Sequence, residues 1–157
     1  MIMLNQRQTA ATTATATLTL PFEIRQRSRF RALLDDGREV GVALPRGGGP
    51  LRPGELLWGP EAPVVRVAAA PEAVATVRAV EPGALARCAY HLGNRHVAVQ
   101  VGPGWLRFAQ DHVLEDMVRG LGFEPLRESA PFEPESGAYD GAVHGHGHGH
   151  DHSHHAH

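Results

Sequence analysis

The sequence predicts an α+β chain with a small all-β domain over residues 1–72, a βαββαβ domain over 73–140 and a tail over 141–157. Three observations predict it. No helical period appears before about residue 82. Beyond that point two helical periods alternate with short β-type runs. The last 17 residues, Gly141–His157, carry eight of the eleven histidines and little apolar surface to pack, so a disordered tail is expected there.

The first seventeen residues, rich in Ala and Thr, read as a frayed end or a weak first strand. From Thr15 the text is strand-like: TATLTLPF alternates, then IRQRSRFRALL runs through DDG into REVGVALP. Asp36-Gly37 between two β-type runs marks a hairpin, because glycine tolerates the positive φ of a tight turn. RGGGPLRPGE is a breaker-rich loop and PVVRVAAA a further strand. In the second half AVATVRAV (Ala73–Val80) is a strand. EPGALARCAYHLG is a helix opened by Pro82 and stopped at Gly93, with Leu85, Cys88 or Ala89, and Leu92 as its apolar stripe. VAVQV and WLRFA are strands joined by Gly102-Pro103-Gly104. Asp111 caps a second helix that buries Val113, Leu114, Met117, Val118 and Leu121. A last strand at Phe123–Arg127 completes the order βαββαβ, which suggests a ferredoxin-like sandwich. From Pro131, PFEPESGAYDGAV reads as a linker.

Hydrophobic content of 42% with 20% charged residues supports a buried core. No apolar run approaches the ~18 residues of a membrane span, and no signal-peptide layout opens the chain. With Cys88 the sole cysteine, no internal disulfide framework exists, and a cytoplasmic protein is expected. A net charge of −2 argues against nucleic acid as a partner. No nucleophile–base pair or phosphate loop is evident, since GGGP at Gly47–Pro50 lacks the Lys-Ser/Thr ending. Catalysis is not expected.

The chemistry lies in imidazole. His144, His146, His148, His150, His152, His154, His155 and His157 alternate mostly with small residues, so several rings can converge on one ion. The interruptions at Asp151, Ser153 and Ala156 separate this pattern from a purification tag. Such a polymer collects nickel, copper or zinc without choosing among them. Three further histidines lie in the folded part. His91 sits in the last turn of the first helix, where it suits the helix dipole as a cap. His96 follows that helix; one ring holds a transition metal weakly, but a two-fold dimer would bring two copies to one ion. His112 opens the second helix beside Asp111, where the positive helix end suits an uncharged ring. Cys88, on the apolar stripe, reads as buried and inert. Arg25, Arg27, Arg29 and Arg31 alternate, which would put all four on one strand face, either solvated or docking an acidic partner.

YHLGNRHV (Tyr90–Val97), QDHVLEDMVRGLG (Gln110–Gly122) and PFEPESGAY (Pro131–Tyr139), with LPRG at Leu44–Gly47, closely resemble the UreE family of urease accessory proteins. The resemblance implies a partner-binding N-terminal domain, a ferredoxin-like metal-binding domain and a homodimer. It implies nickel(II) as cargo, delivered to apo-urease in a complex with the urease accessory GTPase, although zinc or copper would also fit such ligands. His96 matches the metal-binding histidine of the family's interfacial GNRH motif, and His112 matches a second, peripheral one. Gln110 stands where some members carry another histidine, which weakens any auxiliary site on His112. The alternative is a nickel or zinc storage or detoxification protein whose tail is the function. An RNA-binding reading of the βαββαβ unit is set aside, because the nine aromatics form no RNP-like cluster.

Overall fold

The computed structural model describes residues 1–9 and 12–136. The eight tail histidines, and the disorder expected of them, lie outside the described residues. The chain runs through β1 (Ile2–Leu4), β2 (Gln6–Gln8), β3 (Ala16–Leu20), a one-turn helix α1 (Phe22–Arg25), β4 (Arg29–Leu33), β5 (Glu39–Ala43), β6 (Leu56–Trp58) and β7 (Val65–Ala69). It continues through β8 (Pro71–Arg78), α2 (Pro82–Asn94), β9 (Val99–Gly102), β10 (Trp105–Ala109), α3 (His112–Gly120) and β11 (Leu126–Pro131).

The first seven strands form a three-stranded sheet, β1-β5-β4, and a four-stranded sheet, β2-β6-β7-β3. Leu4, Leu18, Leu34, Val40, Leu57 and Val65 belong to the one apolar cluster these strands share. The Asp36-Gly37 turn is as expected: Gly37 takes φ 89°, and the Leu34 N–H donates to Arg38 O at 2.9 Å. Gly59 is required for a different reason. A Cβ there would lie 2.2 Å from the Met3 carbonyl oxygen, so only hydrogen fits between the two backbones.

Two expectations for this half need correction. The run IRQRSRFRALL is not continuous strand. Pro21 holds φ −69° ahead of Phe22, and its carbonyl accepts from the N–H groups of Ile24 and Arg25, which closes the turn of α1. The arginine row is therefore broken. Arg25 is fully buried, while Arg29 and Arg31 stay exposed on β4. The short strand β6 went unanticipated, since Leu56-Leu57-Trp58 is too brief to show a period.

The last four strands form one antiparallel sheet in the order β11-β8-β10-β9. Ala75, Val77, Leu106 and Phe108 of that sheet share a second cluster with Cys88 and Leu92 of α2 and Leu114 and Val118 of α3. Burial pushes the Cys88 thiol up to about 11, in keeping with an inert core residue. The last strand lies later than Phe123–Arg127, at Leu126–Pro131, paired along β8. The segment after it is no free linker: Phe132 and Pro134 are buried, and the Glu135 N–H donates to Val99 O at 2.8 Å.

Helix α3 is rotated from the expected stripe. Val113 is 48% exposed and Glu115 is buried instead. Arg127 of β11 pays for that exchange, since its Nε and Nη2 donate to the two Glu115 carboxylate oxygens at 2.7 and 2.9 Å. The Arg127 hydrogen bonds hold the Glu115 carboxyl below its ordinary 4.5. A folded value below the unfolded one means that this stabilisation is whole above pH 4.5 and is lost as pH falls through the depressed value. Comparing Tm with Glu115→Gln from about pH 6 to about pH 3, the deficit of the variant should shrink as the medium acidifies. A deficit independent of pH would show that the pair contributes packing alone.

Candidate metal centre

Helix α2 begins at Glu81, whose carboxylate accepts from the Gly83 and Ala84 N–H groups at 2.8 and 2.7 Å, with Pro82 in the first turn. Its end differs from the expectation. The helix passes through Gly93 to Asn94, and the left-handed residue is His96, at φ 55°. Arg95 caps the helix and the His96 N–H donates to Gly93 O at 3.0 Å, the bond of a Schellman-type stop. The packing explains the position. Stopping here lets Val97 join the cluster that already holds Leu92, whereas a stop at Gly93 would end the helix one residue after that core leucine. Histidine tolerates the left-handed region better than most side chains.

His96 is exposed at the C-terminal end of α2, three residues before β9. His112 is exposed at the first position of α3, whose cap Asp111 accepts from Val113 and Leu114 N–H at 2.9 and 3.1 Å. Because Val99 pairs with Phe108, the start of β9 and the end of β10 share one end of the sheet. The topology therefore brings His96 and His112 to the same end of the domain. His91 is half-buried on α2 with its ring edge-on to Tyr90, 5.4 Å between centroids. Gln110 is committed to the scaffold: its side-chain amide donates to Val74 O at 3.1 Å.

Among the described residues, no three His, Cys, Asp or Glu side chains converge closely enough to hold a metal ion. The described part of one chain thus offers no ready-made three-ligand site, and His96 and His112 lie on its open surface. Imidazole nitrogen suits nickel, copper and zinc alike, and an exposed ring exchanges its ligand readily.

Sequence reasoning missed one residue that shapes this half. Arg25, from the N-terminal half, donates to Leu20 O at 3.2 Å, to Leu51 O at 3.1 Å and to Phe132 O. Phe132 also packs edge-on against Phe22, 5.9 Å between centroids. Burial lowers the Arg25 pKa, and the nearby Glu133 and Glu72 oppose that shift. The signal in the sequence was an arginine one helical turn from Phe22, but it was masked by alternation with its neighbours. Arg52 adds a second tie, donating to Pro134 O at 2.9 Å and to the Ser136 hydroxyl. The chain is so held beside β9, at the end of the sheet that carries His96.

Two family models match the chain. The N-terminal domain of the UreE urease accessory protein matches residues 3–70, and its C-terminal domain matches residues 72–157. The chain is 61% identical over 141 residues to the urease accessory protein UreE of Alkalilimnicola ehrlichii, across 90% of this chain and 86% of that one. It is 57% identical over 145 residues to the protein of that name from Pseudomonas putida, across 92% and 89%. For the one from an Enterobacter species the identity is 49% over 145 residues, across 92% and 95%. With both halves matched in order and relatives this similar along nearly their full lengths, the chain belongs to the UreE family of urease accessory proteins.

Proposed function

We propose that this protein is a cytoplasmic nickel chaperone, not an enzyme, that carries nickel(II) as cargo to apo-urease through a complex containing the urease accessory GTPase. The observation that carries the reading is His96: exposed, held in a left-handed conformation by the end of α2, and in no group of three or more potential ligands among the described residues. A single ring of that kind becomes a binding site when a homodimer sets two copies against one ion, and it stays open enough to surrender the ion to better ligands. His112, at the same end of the sheet, is a peripheral ligand; Gln110, tied to Val74, offers it no imidazole neighbour. The ferredoxin-like reading of residues 73–140 is supported by the strand order β11-β8-β10-β9 and by the two helices sharing one cluster. Residues 1–72 serve as the partner-binding domain. The tail histidines from His144 to His157 gather ions for the folded site, and zinc or copper compete for the same rings.

Nickel titration calorimetry with mass determination tests this on the full chain and on a version ending at Tyr139. Delivery predicts that the shortened protein keeps about one tight ion per dimer, while the full chain takes up several more. Storage predicts that all tight binding disappears with the tail. That second outcome would make the folded histidines bystanders and overturn the proposal.

A further inference from the structure

β4 is one end of the three-stranded sheet. Its ladder with β5 has hydrogen-bonded pairs at Ser28–Leu44 and Leu34–Arg38, with N–H to O distances of 2.8 and 2.9 Å. Bonded and unbonded pairs alternate in an antiparallel ladder, so Phe30 and Ala32 also bond inward. Arg29, Arg31 and Leu33 then turn their N–H and C=O groups away from β5, and no described residue takes them up. The side chains of these three residues share the outward face, since Phe30 and Ala32 pack on the core. Arg29 and Arg31 are exposed and form no ion pair among the described residues, and Leu33 is 62% exposed. Their cross-strand neighbours Ala43 and Gly41 are too small to cover the arginines. Beyond Leu33 the edge is closed, where Asp35 N–H reaches Thr17 O on β3 at 2.9 Å, so the open stretch is Arg29 to Leu33; the β9 edge is met in turn by the Glu135 N–H, which reaches Val99 O.

We propose that β4 is a docking edge for an extended acidic segment of a partner protein. The segment adds as a further strand, with carboxylates at alternate positions beside Arg29 and Arg31 and an apolar side chain beside Leu33. Charge selects the occupant. A second copy of β4 would set arginine against arginine, which the edge disfavours, whereas an acidic strand gains from both cations. The proposal rests on the delivery reading only for the existence of a protein partner.

The probe is a capped ten-residue peptide alternating glutamate with threonine and carrying one leucine, titrated into the full chain and followed by amide NMR and hydrogen exchange. Shifts are expected at Arg29, Arg31 and Leu33, with exchange there slowed at least ~10-fold at saturation. Binding should weaken at least ~10-fold in the double variant Arg29→Glu/Arg31→Glu, and equally when alternate peptide amides are N-methylated. Undiminished binding of the N-methylated peptide would mean simple charge attraction and overturns strand addition. Absence of shifts at about 1 mM peptide overturns it as well. Nickel uptake by the double variant, measured alongside, should equal that of the parent, so a failed metal reading and a failed docking edge are told apart.

Discussion

Arg25→Met should destabilise the protein by about 3–5 kcal/mol, lowering Tm on the order of 10 °C. The guanidinium is fully buried and supplies hydrogen bonds to Leu20 O, Leu51 O and Phe132 O, three segments far apart in the chain. Methionine fills similar space but donates nothing, so the three carbonyls lose this donor in a dry interior, at a cost of about 1–3 kcal/mol for each that stays unsatisfied. The two apolar clusters draw on separate stretches of chain, residues 4–67 and 75–118, and Arg25 is a direct tie between the first and the segment after β11. Calorimetry should therefore show the transitions of the two halves separating in the variant. Arg25→Lys should fall between, because an ammonium keeps the charge but not the planar fork that reaches three acceptors. A Tm within about 2 °C of the parent would refute the clamp.

The second large effect concerns His96, and two substitutions separate metal binding from folding. His96→Ala and His96→Gly should both weaken the tight nickel site of the version ending at Tyr139 at least ~100-fold, because in the proposed dimer one change removes both ligands of the symmetric pair. Their stabilities should differ. At φ 55° alanine is strained, whereas glycine takes the left-handed region freely, so His96→Gly should be more stable than His96→Ala by about 1 kcal/mol. Nickel titration and thermal melts of the two variants check both statements. Tight nickel retained by His96→Gly would remove His96 from the site, and loss of metal only in the less stable variant would mark the effect as misfolding.

The backbone stop at His96 also shows why sequence and structure disagreed. Gly93 carried the obvious helix-ending residue, yet termination followed the burial of Leu92 and Val97 against one cluster. Propensity at a single glycine is worth at most about 1 kcal/mol, less than the burial of a core side chain at about 1.5–3 kcal/mol. The same competition rotated α3. Leu114 and Val118 kept their expected places, but Glu115 replaced Val113 on the inner side once Arg127 stood opposite it. A salt bridge from another strand leaves no trace in local periodicity.

By itself the sequence determined the features that rest on local chemistry: the Asp36-Gly37 hairpin, the helix start at Pro82, the cap at Asp111, the order βαββαβ, the buried Cys88 and the family. It also singled out His96 and His112 as candidate ligands. Tertiary structure alone decided the rest. It turned Arg25 inward, packed Phe132 and Pro134 instead of leaving a linker, placed the left-handed residue at His96 and left the β4 edge unpaired. The physical reason is common to all four. Each depends on whether groups distant in the chain meet in one place, and short-range patterns encode the propensity of a segment but not the partner that satisfies it or fails to arrive.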